Sequence, residues 1–191
     1  MTIERANPAA SLLRLERTAL VLIDLQERLL PAISGREGIL ANSVLLLRLA
    51  SILRLPVILT TQYRKGLGEI APAIRDAAPG IGPLDKVTFG CFWSEGFLTR
   101  LSELPDRDQL LVAGVETHIC VCQTVLGALE KSYAVHVASD AVGSRRETNH
   151  RVGLARMERA GALISSTEMA IYELRGRSDV AAFKQMLPFL K

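Results

Sequence analysis

Cys120 stands where a run of apolar residues gives way to a predicted helix, in the segment LLVAGVETHICVCQTVL at 110–126. The apolar run is typical of a buried strand, and a short turn after Gly114 leads into the helix. At the start of a helix, the helix dipole and backbone N–H groups without helical partners favour a thiolate and can bind an oxyanion. The sequence therefore predicts a reactive thiol.

Two charged residues close other predicted strands. Asp24 ends the first strand in LIDLQ at 22–26, and Lys86 ends the third in DKVTFGCFW at 85–93. A cation lowers the pKa of a nearby thiol, and a carboxylate can take the thiol proton and return it to a leaving group. With Cys120, these residues predict acyl-transfer chemistry. Singly, Asp24 could equally be a structural acid and Lys86 a solvated charge.

Asp24 also has an alternative interpretation as the nucleophile of a phosphatase or dehalogenase. In such enzymes a second carboxylate two residues later often holds magnesium, but position 26 is Gln. This alternative therefore lacks its metal partner and stays the weaker one.

The elements that must position these residues alternate along the chain. Short apolar runs predict strands at 19–23, 57–60, 84–88, 110–113, 134–138 and 162–164. Helical patterns lie at 37–54, 69–77, 95–103, 118–132, 147–160 and 179–186. We predict a three-layer α/β/α fold with a doubly wound, Rossmann-like sheet of six mostly parallel strands. Strands one and four flank the switch point, where such folds place their sites.

Composition limits the classes of function. With 191 residues, 49% of them hydrophobic and 23% charged, the chain is expected to form a single domain over 1–191. Residues 1–16 contain no apolar run long enough for a signal peptide or membrane span, which predicts a cytoplasmic protein without membrane contact. The net charge of +3 is small, and the arginines at 145–159 alternate with acids, so we expect a solvated helix face and no nucleic-acid partner.

Three segments resemble those of a known family, the isochorismatase-like cysteine hydrolases, which include nicotinamidases and N-carbamoyl amidases. They are VLIDLQ at 21–26, KVTFG at 86–90, and GVETHICV at 114–121 with Thr124 one turn later. The resemblance runs from about residue 18 to the C-terminus. Segments 61–68, 115–118 and 139–145 are most similar to the isochorismatase domain-containing proteins, most of which have no assigned substrate.

The resemblance implies a role for each matched residue. Asp24, Lys86 and Cys120 fall on the family's catalytic triad. The family's cis non-proline peptide bond falls between Val115 and Glu116, and its implied role is to aim the Glu116 and Cys120 amides at an oxyanion. The resemblance also implies a homo-oligomer, a dimer or higher, and the apolar segment at 186–190 offers a surface for it.

Departures from the family refine the prediction. Metal-binding nicotinamidases carry an aspartate and paired histidines after the second strand, whereas 62–68 contains neither, so we predict no catalytic metal and no cofactor. Hydrolysis of the vinyl ether of isochorismate needs no thiol. Cys120 therefore favours an amide or related carbonyl in a small-molecule substrate.

Residues near the triad in sequence are candidates for the substrate pocket: Gln26, Gln62, Phe89, Trp93, Thr117 and His118. The two-residue separation of His118 from Cys120 points their side chains apart on a helix, which favours pocket lining or a structural hydrogen bond over a role as base. Cys122 should face the core, and Cys91 is expected to be a wall residue of the pocket, with a second nucleophile as the alternative. The segment 62–68, with two glycines and few apolar residues, is expected to be a mobile lid.

We therefore predict a cysteine hydrolase of a small amide-like (C–N bond) or related carbonyl substrate that works through a covalent thioester. The rival hypothesis is a thiol-redox or scaffold protein that keeps the fold without hydrolysing anything. A redox role needs a resolving cysteine within reach of Cys120, and Cys122 is poorly oriented for it.

Overall fold

One parallel sheet organises the chain. The structure is a computed structural model, and it describes residues 11–177, 179 and 186–189. The sheet contains β1 (Thr18–Ile23), β2 (Val57–Gln62), β3 (Leu84–Lys86), β4 (Gln109–Val115), β5 (Ala134–Gly143) and β6 (Leu163–Ser165). Its strand order is β3-β2-β1-β4-β5-β6, with every neighbouring pair parallel. The predicted doubly wound fold is confirmed, and the order reverses between β1 and β4.

Helices cover both faces of the sheet. They are α1 (Arg36–Leu53), α2 (Arg64–Leu67), α3 (Pro72–Ala77), α4 (Glu95–Ser102), α5 (Cys122–Glu130), α6 (Glu147–Arg159) and α7 (Thr167–Arg175). The hydrophobic clusters place α1, α3 and α7 on one face and α4, α5 and α6 on the other. Within the part of the chain described, no helix is long and apolar enough to cross a membrane.

The central strand shows why the sequence selects this arrangement. All six residues of β1 are buried, and successive side chains point to opposite faces. Leu20 and Leu22 enter the core beneath α1, whereas Val21 and Ile23 enter the core beneath α5. A strand covered on both faces needs a continuous apolar run, which is the pattern that the sequence carries.

Several boundaries differ from the predicted ones. The helix expected at 118–132 begins with a π-helical turn, Thr117–Val121, before α5. The helix expected at 69–77 is shorter, because Pro72 at its first turn fixes the start of α3. Strand β5 continues to Gly143, past the predicted end at 138. The helix expected at 179–186 lies mostly outside the described residues.

Gly114 allows the two central strands to meet closely. Its φ of 119° suits glycine, and a Cβ atom there would lie 2.1 Å from the carbonyl oxygen of Ile23. No other residue type fits this approach. The close contact brings the end of β4, which leads to Cys120, beside the end of β1, which leads to Asp24.

Candidate active site

Asp24 provides a buried carboxylate directly after β1. Its φ is 55°, a left-handed conformation that Asp tolerates better than most residues. Oδ1 accepts a hydrogen bond of 2.7 Å from the hydroxyl of Thr60 on β2, and Oδ2 accepts one of 2.8 Å from Nζ of Lys86. Both oxygens therefore have fixed partners, and the carboxylate has one orientation.

Lys86 ends β3 with its ammonium group buried. Nζ donates to Oδ2 of Asp24, to Oε1 of Gln62 at 2.8 Å and to the carbonyl of Phe89 at 3.2 Å. An ammonium group has three N–H donors, and these three acceptors use all of them. Lys86 therefore fixes the carboxylate of Asp24, and a substrate atom would have to displace one of its partners.

Gln26 and Gln62 connect the first two strand ends. Oε1 of Gln26 accepts from the backbone N–H of Gln62 at 2.8 Å, and its Nε2 donates to the carbonyls of Gln62 and Gly68. The side-chain amide of Gln62 donates to the carbonyl of Val87 at 2.9 Å while its oxygen holds Lys86. The polar atoms of both predicted pocket residues thus hold protein groups in place.

Cys120 lies in the π-helical turn and is only 6% exposed. The carboxylate of Asp24 lies close enough to interact with the thiol of Cys120. Burial raises the pKa of the Cys120 thiol, the negative charge of Asp24 raises it further, and the charge of Lys86 lowers it only in part. The pKa of this thiol therefore shifts upward and not downward as the sequence suggested, because burial and the carboxylate outweigh the cation.

The three cysteines have different surroundings. The Thr124 hydroxyl donates to the carbonyl of Cys120 at 2.7 Å and accepts from the backbone N–H of Cys91 at 3.0 Å. Cys91 is fully buried, and burial raises its pKa to about 11. Cys122 is buried in the core beside α5 and α6, as predicted. Cys91 thus shares the surroundings of Cys120, and Cys122 does not.

Glu116 is held tightly at the entrance to the nucleophile turn. The peptide bond between Val115 and Glu116 is cis. The carboxylate of Glu116 accepts from the backbone N–H of Arg145 at 2.9 Å and from its Nε at 3.0 Å. Its carbonyl accepts from the N–H groups of Ile119 and Val121. Both the side chain and the carbonyl of Glu116 are therefore fixed.

The side chains of Thr117 and His118 hydrogen-bond to groups of α6 and the segment before it. Nδ1 of His118 lies 3.0 Å from Oγ of Ser144, and its Nε2 accepts from Nδ2 of Asn149 at 3.3 Å. Oγ1 of Thr117 lies 2.9 Å from Nδ1 of His150. Both ring nitrogens of His118 have partners other than the thiol, so the histidine makes structural hydrogen bonds.

The isochorismatase domain family model matches residues 18–169 of the chain. The chain belongs to the isochorismatase family. Isochorismatase domain-containing protein 2A of Mus musculus is 36% identical over 179 residues, which cover 92% of this chain and 84% of that protein. The resemblance to the isochorismatase domain-containing proteins is thereby confirmed.

Solved structures of the family share the whole fold. The MAR1 ribonuclease of Caenorhabditis elegans superposes with a TM-score of 0.88 at 32% identity, covering 94% of this chain and 92% of that one. The YcaC gene product of Escherichia coli, described as an octameric hydrolase of unknown specificity, has a TM-score of 0.87 at 27% identity. That match covers 93% of this chain and 90% of the other.

Two exposed aromatic residues follow Lys86 in the chain. Phe89 and Trp93 are 54% and 63% exposed, and Phe89 also supplies the carbonyl that holds Lys86. A Cβ atom on Gly90 would lie 2.6 Å from the ring of Trp93, so the ring lies directly against that glycine. A separate groove of about 660 Å³ lies between α1 and α3, away from the thiol.

The segment 62–68 makes several hydrogen bonds to neighbouring parts of the chain. It contains α2, and Oδ1 of Asp85 accepts from the backbone N–H of Arg64 at 2.9 Å. From the other side, Arg28 donates to the carbonyl of Gly66 at 3.1 Å, and Gln26 donates to that of Gly68. These side chains, which come from β3 and from the segment after β1, were not foreseen as partners of this segment, and its mobility stays a prediction.

Sequence reasoning missed three residues that organise the site: Thr60, Thr124 and Arg145. Thr60 could have been found, because the register of β1 and β2 places it opposite Ile23, next to Asp24. Arg145 follows the unforeseen extension of β5, and its contact with Glu116 spans 29 residues of sequence. No local pattern predicts such a contact.

Proposed function

We propose that the chain is a cysteine hydrolase of a small amide-like or related carbonyl substrate, with Asp24, Lys86 and Cys120 as its catalytic residues. The observation that carries the proposal is the buried carboxylate of Asp24, which contacts the thiol of Cys120 and the ammonium group of Lys86 at once. A proton acceptor beside a neutral nucleophile is the arrangement that general-base catalysis needs.

In the first step, Sγ of Cys120 attacks the substrate carbonyl while the carboxylate of Asp24 takes the thiol proton. The carbonyl oxygen becomes an oxyanion, and the backbone amides of Glu116 and Cys120 are the donors that we assign to it. The charge of Lys86, 2.8 Å from Asp24, compensates the negative charge that the site carries before the proton moves.

In the second step, the tetrahedral intermediate collapses and the C–N bond breaks. The leaving nitrogen takes the proton from Asp24, and the acyl group stays on Cys120 as a thioester. Water then attacks the thioester, with Asp24 accepting its proton and returning one to Sγ. The products are a carboxylic acid, an amine and the free thiol, so atoms and protons balance without a cofactor or metal.

Phe89 and Trp93 form the exposed rim against which we place the substrate. Gln26, Gln62, Thr117 and His118 have their polar atoms engaged with the protein, so we give them the supporting role behind the pocket wall. The E. coli relative is a hydrolase of unknown specificity and the worm relative is called a ribonuclease. A small-molecule substrate, without a nucleic-acid partner, is our proposal for this chain.

Assembly and location follow as further parts of the proposal. The octameric E. coli neighbour favours a homo-oligomer. The segment at 186–190 is a weaker candidate for the interface than predicted, because Met186 is buried in the core and the guanidinium group of Arg48 lies 4.4 Å from the ring centre of Phe189. The described part of that segment therefore packs on α1 of its own chain. We keep the cytoplasm as the proposed location.

Steady-state hydrolysis of p-nitrophenyl acetate and a panel of small primary amides tests the proposal. Cys120→Ala should abolish turnover while leaving the circular dichroism spectrum unchanged. Cys122→Ala is the matched control, because this thiol is also buried but lies in the core away from Asp24. Undiminished turnover in the Cys120 variant would exclude the mechanism.

The redox rival retains one supporting observation. Thr124 bridges the backbones of Cys91 and Cys120, so a second thiol lies close to the nucleophile. Treatment with dilute hydrogen peroxide followed by peptide mapping distinguishes the two hypotheses. A reversible disulfide between these cysteines, with no hydrolysis of any ester or amide, would favour the rival.

A further inference from the structure

Glu116 and Arg145 form an ion pair whose two halves differ sharply in exposure. The side chain of Glu116 is 6% exposed, whereas that of Arg145 is 58% exposed. Oε2 of Glu116 accepts from the backbone N–H of Arg145, and Nε of the same arginine lies 3.0 Å from Oε1. A buried carboxylate requires such donors, because its desolvation is otherwise costly.

Arg145 is itself anchored to two parts of the site. Its carbonyl accepts from Oγ of Ser34 at 3.2 Å, and the neighbouring carbonyl of Ser144 accepts from the backbone N–H of Ser34. Oγ of Ser144 lies 3.0 Å from His118 in the nucleophile turn. The donors that hold Glu116 therefore belong to a segment fixed between the loop after β1 and the turn that carries Cys120.

We propose that Arg145 is a positioning residue that acts through Glu116 to aim the backbone amide of Glu116 at the oxyanion. This inference rests on the proposed function, which assigns that amide to the oxyanion site. The carbonyl of Glu116 is held by Ile119 and Val121, so its side-chain clamp is the second constraint on the same residue. Loosening the clamp leaves the amide present but no longer directed.

A misdirected amide of Glu116 should slow only those reactions of Cys120 that pass through an oxyanion. Acylation of Cys120 by an ester passes through an oxyanion, whereas its alkylation by iodoacetamide is a direct displacement at carbon and forms none. Losing an oxyanion donor slows acyl transfer by about 10²–10³, and a misdirected donor should cost part of that. A defect in the fold or in the thiol would slow both reactions together.

The experiment compares both rates in the unaltered protein and in four variants: Arg145→Ala, Arg145→Lys, Glu116→Gln and Arg146→Ala. Acylation is followed with p-nitrophenyl acetate, and alkylation is followed by mass mapping of the Cys120 peptide. Arg145→Ala should slow acylation by about tenfold or more and leave alkylation within about twofold. Arg145→Lys and Glu116→Gln should show the same selective direction.

Arg146→Ala is the matched control, because this neighbouring arginine is also exposed but lies outside the site. It should change neither rate. Acylation at the unaltered rate in Arg145→Ala, or an equal fall in both rates, would overturn the inference while leaving the proposed function intact. Failure of the unaltered protein to acylate at all would instead overturn the proposed function, and the inference with it.

Discussion

The carboxylate of Asp24 and the ammonium group of Lys86 form a fully buried ion pair, with Oδ2 and Nζ 2.8 Å apart. The partner of the Lys86 ammonium group is therefore a carboxylate, and the thiol of Cys120 interacts with that same carboxylate. A neutral thiol beside a proton acceptor differs from a preformed thiolate, since the nucleophile is activated only when the proton moves. This relationship determines the pH behaviour of the site.

Replacing Asp24 by Asn should make the thiol of Cys120 more acidic and yet remove activity. Burial and the charge of Asp24 both raise the pKa of the thiol, whereas Lys86 lowers it, so removing the carboxylate charge lowers the pKa and leaves burial opposed by the cation. The pH dependence of iodoacetamide alkylation, read at Cys120, measures this change. In the unaltered protein the apparent pKa should lie above the ordinary value of about 8.5.

Lys86→Met is the complementary variant, and it should raise the apparent pKa of Cys120 further. An Asp24→Asn protein with an unchanged or higher alkylation pKa would contradict this electrostatic account.

Gln62→Leu should destabilise the protein and lower its activity together. The substitution removes the acceptor that lies 2.8 Å from Nζ of Lys86 and leaves one buried N–H of the ammonium group unpaired. Such a loss costs about 1–3 kcal/mol or more for a charged group. Urea unfolding measures it, and Gln62→Glu is the control because it keeps an oxygen acceptor at that place. Equal stability of the Leu variant and the unaltered protein would count against the hydrogen bond between Gln62 and Lys86.

Thr124→Val should reduce stability by about 1–3 kcal/mol, because it leaves the buried N–H of Cys91 and the carbonyl of Cys120 without the hydroxyl between them. Valine has nearly the same shape as threonine, so packing changes little. Thr99→Val, at an exposed position of α4, should stay within about 0.5 kcal/mol. Chemical unfolding of both variants checks the prediction, and equal losses would refute it.

His136 should make stability fall in mild acid. Burial lowers its pKa, although Glu173 opposes the shift, and among the described residues its Nε2 has no hydrogen-bond partner. The unfolded chain therefore takes up the proton first, near pH 6.5, and stability declines as the pH falls from there toward the lower folded pKa. Unfolding free energies at pH 7.5 and pH 5.5 measure the decline.

His136→Gln should reduce that decline. Some pH dependence should remain in the variant, because burial also lowers the pKa of His150. An identical decline in the variant and the unaltered protein would assign the effect to other groups.

The sequence predicts which elements come together at the site. It predicts less well the chemical environment that these elements create there. Asp24, Lys86 and the turn to Cys120 follow strands of one parallel sheet, so their common edge was predictable from order alone. The direction in which the pKa of the Cys120 thiol shifts was not predictable, because burial and the interaction with Asp24 depend on packing. Arg145 was read as part of a solvated helix, since its partner Glu116 lies on another strand end.

The site of acylation decides whether Cys120 is the nucleophile and Asp24 its base. The protein is mixed rapidly with p-nitrophenyl acetate, quenched in acid and digested, and the acetyl group is located by mass spectrometry. We expect a transient acetyl group on Cys120 that forms much more slowly in Asp24→Asn, even though the thiol of that variant is more acidic. No acetyl group on Cys120, or one that forms as fast without the carboxylate, would contradict it.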